Sequence, residues 1–410
     1  MTTAETPWPR AIILVDMNAF FASVEQLDHP GWQGRPIAIT NGLRGSTIIT
    51  CSYEARAWGV KTGMRLKEAR RLCPELIQAP SQPKRYVDVS IRIMQALEAI
   101  TPDIEVFSVD EAFLDVTRCQ QLLGAPPVIA RQVKQTVLRT SGILCSVGVS
   151  GDKSTAKYAA KLHKPDGLTV IAPWEAEEAL RDAPVTALCG INKGIGEYLR
   201  QRGVTHCGEM KKLPVSELAR RFGNLGRRIW LMAQGKDPEG LITQVAAPKS
   251  LGHGKVIPPG TGEHQVLLTY YRHMSEKVGY RLRKYRLRAQ TFYIGLRIRE
   301  RWLKETARVA EPTDDGAIIY MQCVAFLNRR WHGEGCYQVQ VTALDPRPAQ
   351  QQQSLFTADN SKREGVNRVM DAINERYGEY TLAPVRLLQR SDMPNVIAPA
   401  WKPHGHRQTI

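Results

Sequence analysis

Ile104–Val116, I-E-V-F-S-V-D-E-A-F-L-D-V, is the stretch from which the rest of the chain is read. Two short apolar runs with strand-like alternation flank Asp110-Glu111, which puts the pair at or beside a hairpin turn. Successive side chains of a strand leave opposite faces, so adjacent carboxylates do not converge there. At a turn that restriction relaxes, and both can enter one cleft. Acidic residues are depleted in strands, which marks the pair out. Clustered carboxylate oxygens are what a hard cation such as Mg2+ takes. A polar hairpin tip in water is the other reading this stretch leaves open.

Upstream, Ala11–Val15 (A-I-I-L-V) is apolar at every position, as a central strand buried on both faces would be. It ends in Asp16, at the mouth of the strand, where α/β architectures place catalytic groups and where Asp also serves as a helix N-cap. Residues 36–40 and 46–50 read as two more strands. Beyond them Tyr53 and Arg56, three apart, share a helical face and offer a hydroxyl and a guanidinium suited to phosphate oxygens. A basic helix follows before residue 72. Tyr86, Val89, Ile93, Leu97 and Ile100 carry a helical period through 84–100. Downstream come a helix around 127–140, a strand at 143–149, a helix opening after Ser150 and a strand at 168–171. The G-D-K-S-T run lacks the spacing of a phosphate-binding loop and is rejected as one. Lys164, just before Pro165, reads either as a triphosphate contact or as a solvated turn lysine.

At 410 residues the chain needs two to four domains. Its 56 Lys+Arg against 40 Asp+Glu leave +16, which favours a polyanionic partner, nucleic acid before a membrane surface. Eight scattered cysteines without a C-x-x-C read as reduced thiols, not as a disulfide framework or zinc site. No apolar run approaches the roughly 18 residues that span a bilayer, and residues 1–10 lack signal-peptide features. A soluble, cytoplasmic monomer is expected.

Cys189–Gly194 followed by E-Y-L-R-Q-R-G-V has helix–hairpin–helix spacing, whose turn presents backbone N–H groups to a DNA phosphate. Residues 235–248 read as a linker. Between Lys277 and Lys304 ten Lys/Arg meet one acid, Glu300, the most basic stretch of the chain. Met274, Val278, Leu282 and Tyr285 form an apolar helical stripe that leaves Arg281, Lys284 and Arg288 on the other side. In the next strand Phe292, Ile294, Leu296 and Ile298 share one face, and Tyr293, Gly295, Arg297 and Arg299 the other. Arginines around a glycine suit close approach to a phosphate backbone. After Asp345, P-R-P-A-Q-Q-Q-Q-S-L-F-T reads as a docking peptide. A helical tail follows with Val366, Val369, Met370 and Ile373 in register.

V-D-M-N-A-F-F-A-S-V-E around Asp16, then Y-E-A-R, S-V-D-E-A-F-L-D and K-P-D-G, taken together in this order, resemble the Y-family DNA polymerases, nearest the bacterial DNA polymerase IV group. The likeness covers about residues 10–356. It implies an α/β (α+β) right hand. The palm would be 1–19 and 82–171, the fingers 20–81, and the helix–hairpin–helix thumb 172–240. A linker (241–249), an α/β little finger (250–346) and a tail (347–410) would follow. It further implies that Asp16, Asp110 and Glu111 bind two Mg2+ ions, or Mn2+, with the Met17 carbonyl. Tyr53, Arg56, Lys164, Thr50 and Phe20 would surround the dNTP, and Phe21 would be the steric gate against a ribose 2′-hydroxyl. Gly190, Lys193, Gly194, Arg281, Lys284, Arg288, Arg297 and Arg299 would contact primer–template DNA. Gln352, Leu355 and Phe356 of Q-Q-S-L-F would bind the sliding clamp. The implied activity is low-fidelity translesion synthesis without proofreading, in a bacterial cytoplasm near the nucleoid, with SOS or repair proteins as further partners.

There are departures from the pattern. Asn18 stands where many members have Asp, and Asn192 replaces a thumb Gly, a change Asn accommodates through its tolerance of the left-handed region. Thr47 and Ile49, in the expected roof over the nascent base pair, are not especially small. The tail V-N-R-V-M-D-A-I-N-E-R-Y-G is similar to that of polymerase V of the SOS mutasome. A catalytically dead repair scaffold is the alternative, but it should have lost its carboxylates. A palm-type nucleotide cyclase has no need of the hairpin thumb, the basic third domain or the clamp peptide.

Overall fold

The computed structural model describes residues 7–42, 46–244, 247–299, 301–349 and 361–389. The chain divides near residue 245 into two units, each with its own apolar core. In the first, strand β1 (Ile12–Met17) leads into helix α1 (Phe20–Asp28), followed by β2 (Ile37–Thr40), β3 (Ile48–Cys51), α2 (Tyr53–Ala57), α3 (Leu66–Leu72) and β4 (Ile77–Pro80). Then come α4 (Pro83–Glu98), β5 (Ile104–Val106), β6 (Glu111–Asp115), α5 (Gln120–Leu123), α6 (Pro126–Ser141), β7 (Cys145–Ser150), α7 (Lys153–Leu162) and β8 (Leu168–Val170). Four helices complete the unit: α8 (Ala176–Leu180), α9 (Lys193–Arg200), α10 (Val215–Phe222) and α11 (Asn224–Met232).

β1 lies in the middle of a sheet ordered β5-β6-β1-β7-β8. Helices cover both faces, and this is why every residue of the A-I-I-L-V run is apolar. Ile13, Val15 and Met17 pack with Tyr86, Ile93 and Leu97 of α4 and Val133 of α6, while Ile12 and Leu14 pack with Ala156 and Ala160 of α7. α7 can come this close because of Gly148 on β7, where an added Cβ would lie 2.1 Å from the Ala156 carbonyl oxygen. β3, β2 and β4 form a separate small sheet with its own apolar cluster. α1 belongs to both regions: Phe20 and Val24 enter the main core, and Ala22 packs on Ile37 and Ile39 of the small sheet. The expected palm–fingers boundary at residue 20 therefore falls inside a shared structural block.

α8 to α11 enclose a third cluster around Leu199, Leu218 and Ile229. Asn192 does not use the left-handed region. Its φ is −80°, and its side chain caps α9 by accepting from Ile195 N at 2.9 Å. The positive φ lies at Gly190, +90°. The expected linker is pinned at its start. Asp237 is buried against Arg228 at 2.8 and 2.9 Å, and Ile242 N donates to Glu105 Oε2 at 2.8 Å.

The second unit contains β9 (Leu251–Thr261), α12 (His264–Lys284), β10 (Leu287–Ile298), β11 (Arg301–Thr313), α13 (Gly316–Arg330), β12 (Cys336–Ala343), β13 (Arg347–Pro348) and α14 (Ser361–Tyr377). Its sheet runs β11-β10-β12-β9, with β13 added to β10. Phe292, Ile294, Leu296 and Ile298 pack beneath α12 and α13, as the period-two pattern requires. The tail to residue 389 belongs to this unit and is not a separate appendage; Leu387 is fully buried. α14 is helical, as the register of its apolar residues predicts, with Val366 and Val369 facing outward at 64% and 58% exposure. The clamp-peptide residues Gln352, Leu355 and Phe356 lie outside the described residues. No helix among the described residues is long and apolar enough to cross a membrane, and all eight cysteines are free thiols.

The Gly148 contact yields a stability prediction. Gly148→Ala forces α7 off the sheet and should cost about 2–3 kcal/mol, read as a lower urea midpoint with an unchanged slope.

Candidate active site

Pairing of β1 with β6 puts Asp16 directly opposite Glu111, and the Met17 N–H donates to the Asp110 carbonyl at 2.9 Å. The turn is closed by Phe107 and Ser108, whose N–H groups both donate to the Glu111 carbonyl at 3.0 and 3.1 Å. Asp110 is thus the last residue of the turn and Glu111 the first of the strand, so the alternation rule does not separate them. Ser108 Oγ donates to Asp110 Oδ1 at 2.6 Å and lies 3.4 Å from Glu111 Oε2, tying the two carboxylates together.

The electrostatics follow from the burial. Asp16 is 8% exposed and its carboxyl is pushed up to about 7, first by burial and then by Glu111 and Asp110, against the lowering pull of Lys164. Burial and the adjacent Glu111 also raise Asp110 above the usual carboxylate range. Two lysines answer this negative charge. Lys164 Nζ lies 2.5 Å from Asp16 Oδ2. Lys157, one turn along α7 from Lys153, reaches both Glu111 oxygens at 2.8 Å and passes 4.1 Å over the Phe107 ring. Lys164 is therefore paired with a carboxylate here, not simply solvated in its turn.

Lys157 and Ser108 were not anticipated from the sequence. Lys153, Lys157 and Lys161 recur every four residues, which by itself is the pattern of a solvated helix face. Only the seating of α7 on Gly148 buries the first two. The Asn18 departure also acquires a reason: its Nδ2 donates to Ser146 Oγ at 2.9 Å, and its Oδ1 accepts from Asp166 N at 2.8 Å. It thereby ties the loop carrying Lys164 to the strand, as donor and acceptor at once.

Of the residues expected around the dNTP, Tyr53 and Arg56 lie on α2, which Ser52 caps, and the Arg56 guanidinium stacks 4.5 Å from the Tyr53 ring centroid. Thr50 is half-buried on β3, just before them. The Phe21 ring stacks on Tyr86 at 4.3 Å, and Tyr86 is fixed beneath it by a 2.7 Å hydrogen bond from its hydroxyl to Glu25. Phe21 and Tyr53 pack against one apolar cluster, so the expected gate and the phosphate-suited pair belong to one wall. Phe20 is a correction: its ring is 2% exposed, within the main core, and has no face left for a nucleotide.

The expected DNA contacts divide. Gly190, Lys193 and Gly194 stand exposed at the start of α9. Arg297 and Arg299 are exposed on the second unit's sheet side, Arg299 at a φ of +43° just past β10. Lys304, paired in register with Gly295, and Arg308, paired with Thr291, extend the row on β11. Lys284 is exposed at the end of α12. Arg281 is not available: it is buried and donates to the Gly252 carbonyl at 2.7 Å. Arg288 lies in β10, not on the helix, and pairs with Asp314 and Glu364. Gly295 is not an open approach either, since a Cβ there would meet Tyr293 at 3.0 Å and Trp302 at 3.1 Å. The glycine accommodates those rings.

Comparison with known proteins agrees with this arrangement. The impB/mucB/samB family model matches residues 15–161, and the model of that family's C-terminal domain matches residues 248–355. DNA polymerase IV of Moorella thermoacetica is 34% identical over 381 residues, covering 90% of this chain and 94% of that protein. DNA polymerase IV of Shewanella woodyi is 40% identical over 244 residues, 59% of this chain and 67% of that protein. Among solved structures, the Y-family DNA polymerase chimera Dbh-Dpo4(243-245)-Dbh superposes with a TM-score of 0.71 at 27% identity, over 82% of this chain and 98% of the chimera. With the carboxylates of β1 and β6 and both family models in their expected places, the chain belongs to the impB/mucB/samB family of Y-family DNA polymerases, on its polymerase IV side.

Proposed function

We propose that the chain is a template-directed DNA polymerase that transfers a nucleotide from dNTP to a primer 3′-hydroxyl and copies damaged templates without proofreading. The observation that carries this is the clustered trio Asp16, Asp110 and Glu111, in which burial first, and then the charges of Glu111 and Asp110, holds Asp16 up to about 7. The donor set is all hard oxygen, which suits Mg2+ or Mn2+. Among the described residues no three such side chains are spaced to hold an ion as they stand, and lysines pair with two of the carboxylates. Asp16, Asp110, Glu111 and the Met17 carbonyl would hold two ions. Bound there, the pair would supply a primer hydroxyl of lowered pKa and a neutralised triphosphate and leaving group.

The remaining work falls to the chain's own side chains. Lys164, once exchanged from Asp16, takes a phosphate oxygen beside Tyr53 and Arg56. Lys157 keeps Glu111 oriented from the far side. Phe21, held by Tyr86, fills the space of a ribose 2′-hydroxyl. The α9 N-terminus and Arg297, Lys304 and Arg308 take template and primer phosphates without reading sequence. Gln352, Leu355 and Phe356 are proposed to dock on a sliding clamp. The scaffold alternative has no support from the site, which retains all three carboxylates. The deciding assay is primer extension with Mg2+ and single dNTPs on undamaged and abasic templates: slow extension that persists opposite damage supports the reading, and DNA binding without extension overturns it.

Two substitutions sharpen this. Asp110→Asn should reduce incorporation by at least about a thousandfold yet raise the thermal stability of the metal-free protein. Because the folded-state pKa is raised, ionising Asp110 costs stability as pH rises through and beyond its ordinary range. The Tm gain should therefore be largest above neutrality and shrink toward pH 4; retained synthesis, or a stability loss at pH 8, contradicts the assignment. Phe21→Ala should admit ribonucleotides, with the ratio of kcat/KM for dNTP over rNTP falling by about a hundredfold or more. An unchanged ratio removes Phe21 from the gate.

A further inference from the structure

The basic stretch of the second unit is matched along α12 and the start of β10 by acids of the tail. Lys277 Nζ lies 2.8 Å from Glu379 Oε1, and the Tyr280 hydroxyl donates to Glu375 at 3.0 Å. Arg283 grips both oxygens of Asp371 at 2.6 and 2.8 Å, and Arg288 Nη2 lies 2.6 Å from Glu364. The order is antiparallel, positions 277, 280, 283 and 288 against 379, 375, 371 and 364. Arg363 adds a pair of opposite polarity with Asp315.

α14 itself contributes little apolar burial. Asn367 is its one buried residue among the described side chains, and Val366 and Val369 face solvent. Charge pairing holds this helix, and pairs of this kind are individually weak and screened by salt. Glu364, Asp371 and Glu375 lie about 10 and about 6 Å apart along the helix axis, or about three and two nucleotide steps of a DNA strand. The open sheet face carries Arg297 and Lys304, for which the described residues supply no ion pair. The helix side differs, because its cations are already occupied by an acidic stripe of the same chain.

We propose that α14 is a releasable acidic cap over a second DNA-phosphate surface formed by Arg283 and Arg288. The partner is the backbone of duplex DNA, which exchanges with the carboxylates of α14 while Leu387 keeps the following segment seated. The proposal rests on the polymerase reading for its partner, and it predicts that DNA is engaged on both sides of this unit.

Hydrogen exchange of the wild-type, full-length protein at low salt, with and without a 20-base-pair duplex, tests it directly. Exchange across 362–377 should accelerate at least tenfold when duplex is bound, while α12 and the segment around Leu387 stay protected. Unchanged or slower exchange in α14 with duplex bound overturns the proposal; such a helix is a fixed brace or a seat for a protein partner. The variant E364Q/D371N/E375Q provides an independent test. Its Kd for duplex should fall at least fivefold at 50 mM salt, and the slope of log Kd against log salt should steepen by about 2, at about 0.9 for each of the two arginines freed. D88N/E98Q/E175Q measures the effect of net charge alone, and an equal response in both variants overturns the proposal. If the first variant unfolds, the wild-type exchange decides. Failure of every protein to bind duplex would overturn the polymerase reading and the cap together, whereas normal primer extension with an unmoved α14 overturns the cap only.

Discussion

The antiparallel pairing of β1 with β6 is the constraint on which the site depends. It places Asp16 opposite Glu111 in a strand that helices cover on both faces, with Asp110 at the adjoining turn. Three carboxylates are thereby clustered, and burial together with the neighbouring Glu111 disfavours ionisation of both Asp16 and Asp110. The fold stores this repulsion at one point and offsets it with two lysines brought from elsewhere in the chain. A site built this way is stabilised by the surrounding core rather than by the site itself.

α7 is the second element on which the site turns. Its close approach at Gly148 sets two lysines, one turn apart, beneath the sheet. Lys157 holds Glu111, and Lys153 holds Glu105 at 2.6 Å and Glu239 at 2.9 Å. Glu239 in turn meets Arg228 of α11 at 2.6 Å. α7 thus carries two sets of charge pairs, one joined through Glu239 to Arg228 of α11 and the other ending on the Glu111 carboxylate. Buried pairs of this sort add little net stability, but each fixes the position of its partners.

The second unit treats its charge differently on its two sides. The strand side of the basic stretch keeps Arg297 and Lys304 open, whereas the helix side is neutralised by acids that follow some eighty to one hundred residues later. A strongly positive segment in sequence is thus only in part a positive surface in the folded chain. The distinction matters for where DNA is held, because a cation already satisfied by a carboxylate must exchange partners before it can bind phosphate.

Much of this was legible in the residues themselves. The fully apolar run ending in Asp16, the hairpin at Asp110-Glu111, the helical face shared by Tyr53 and Arg56 and the alternation of Phe292 to Ile298 are local patterns, and the structure reproduces each. Periodicity reports the faces of an element because backbone geometry repeats within a few residues. It does not report which neighbour covers a face. Hence Phe20, expected at the nucleotide, lies in the core, Arg281, expected on DNA, is buried on a carbonyl, and Val366 and Val369, in helical register as expected, face solvent. Lys157 and Ser108 were passed over for the same reason. The sequence by itself determined the family, the order of elements and the three carboxylates, because these reside in short-range patterns. Which charges are buried, and against which partners, was decided only by tertiary packing, because burial and ion pairing depend on residues far apart in the chain.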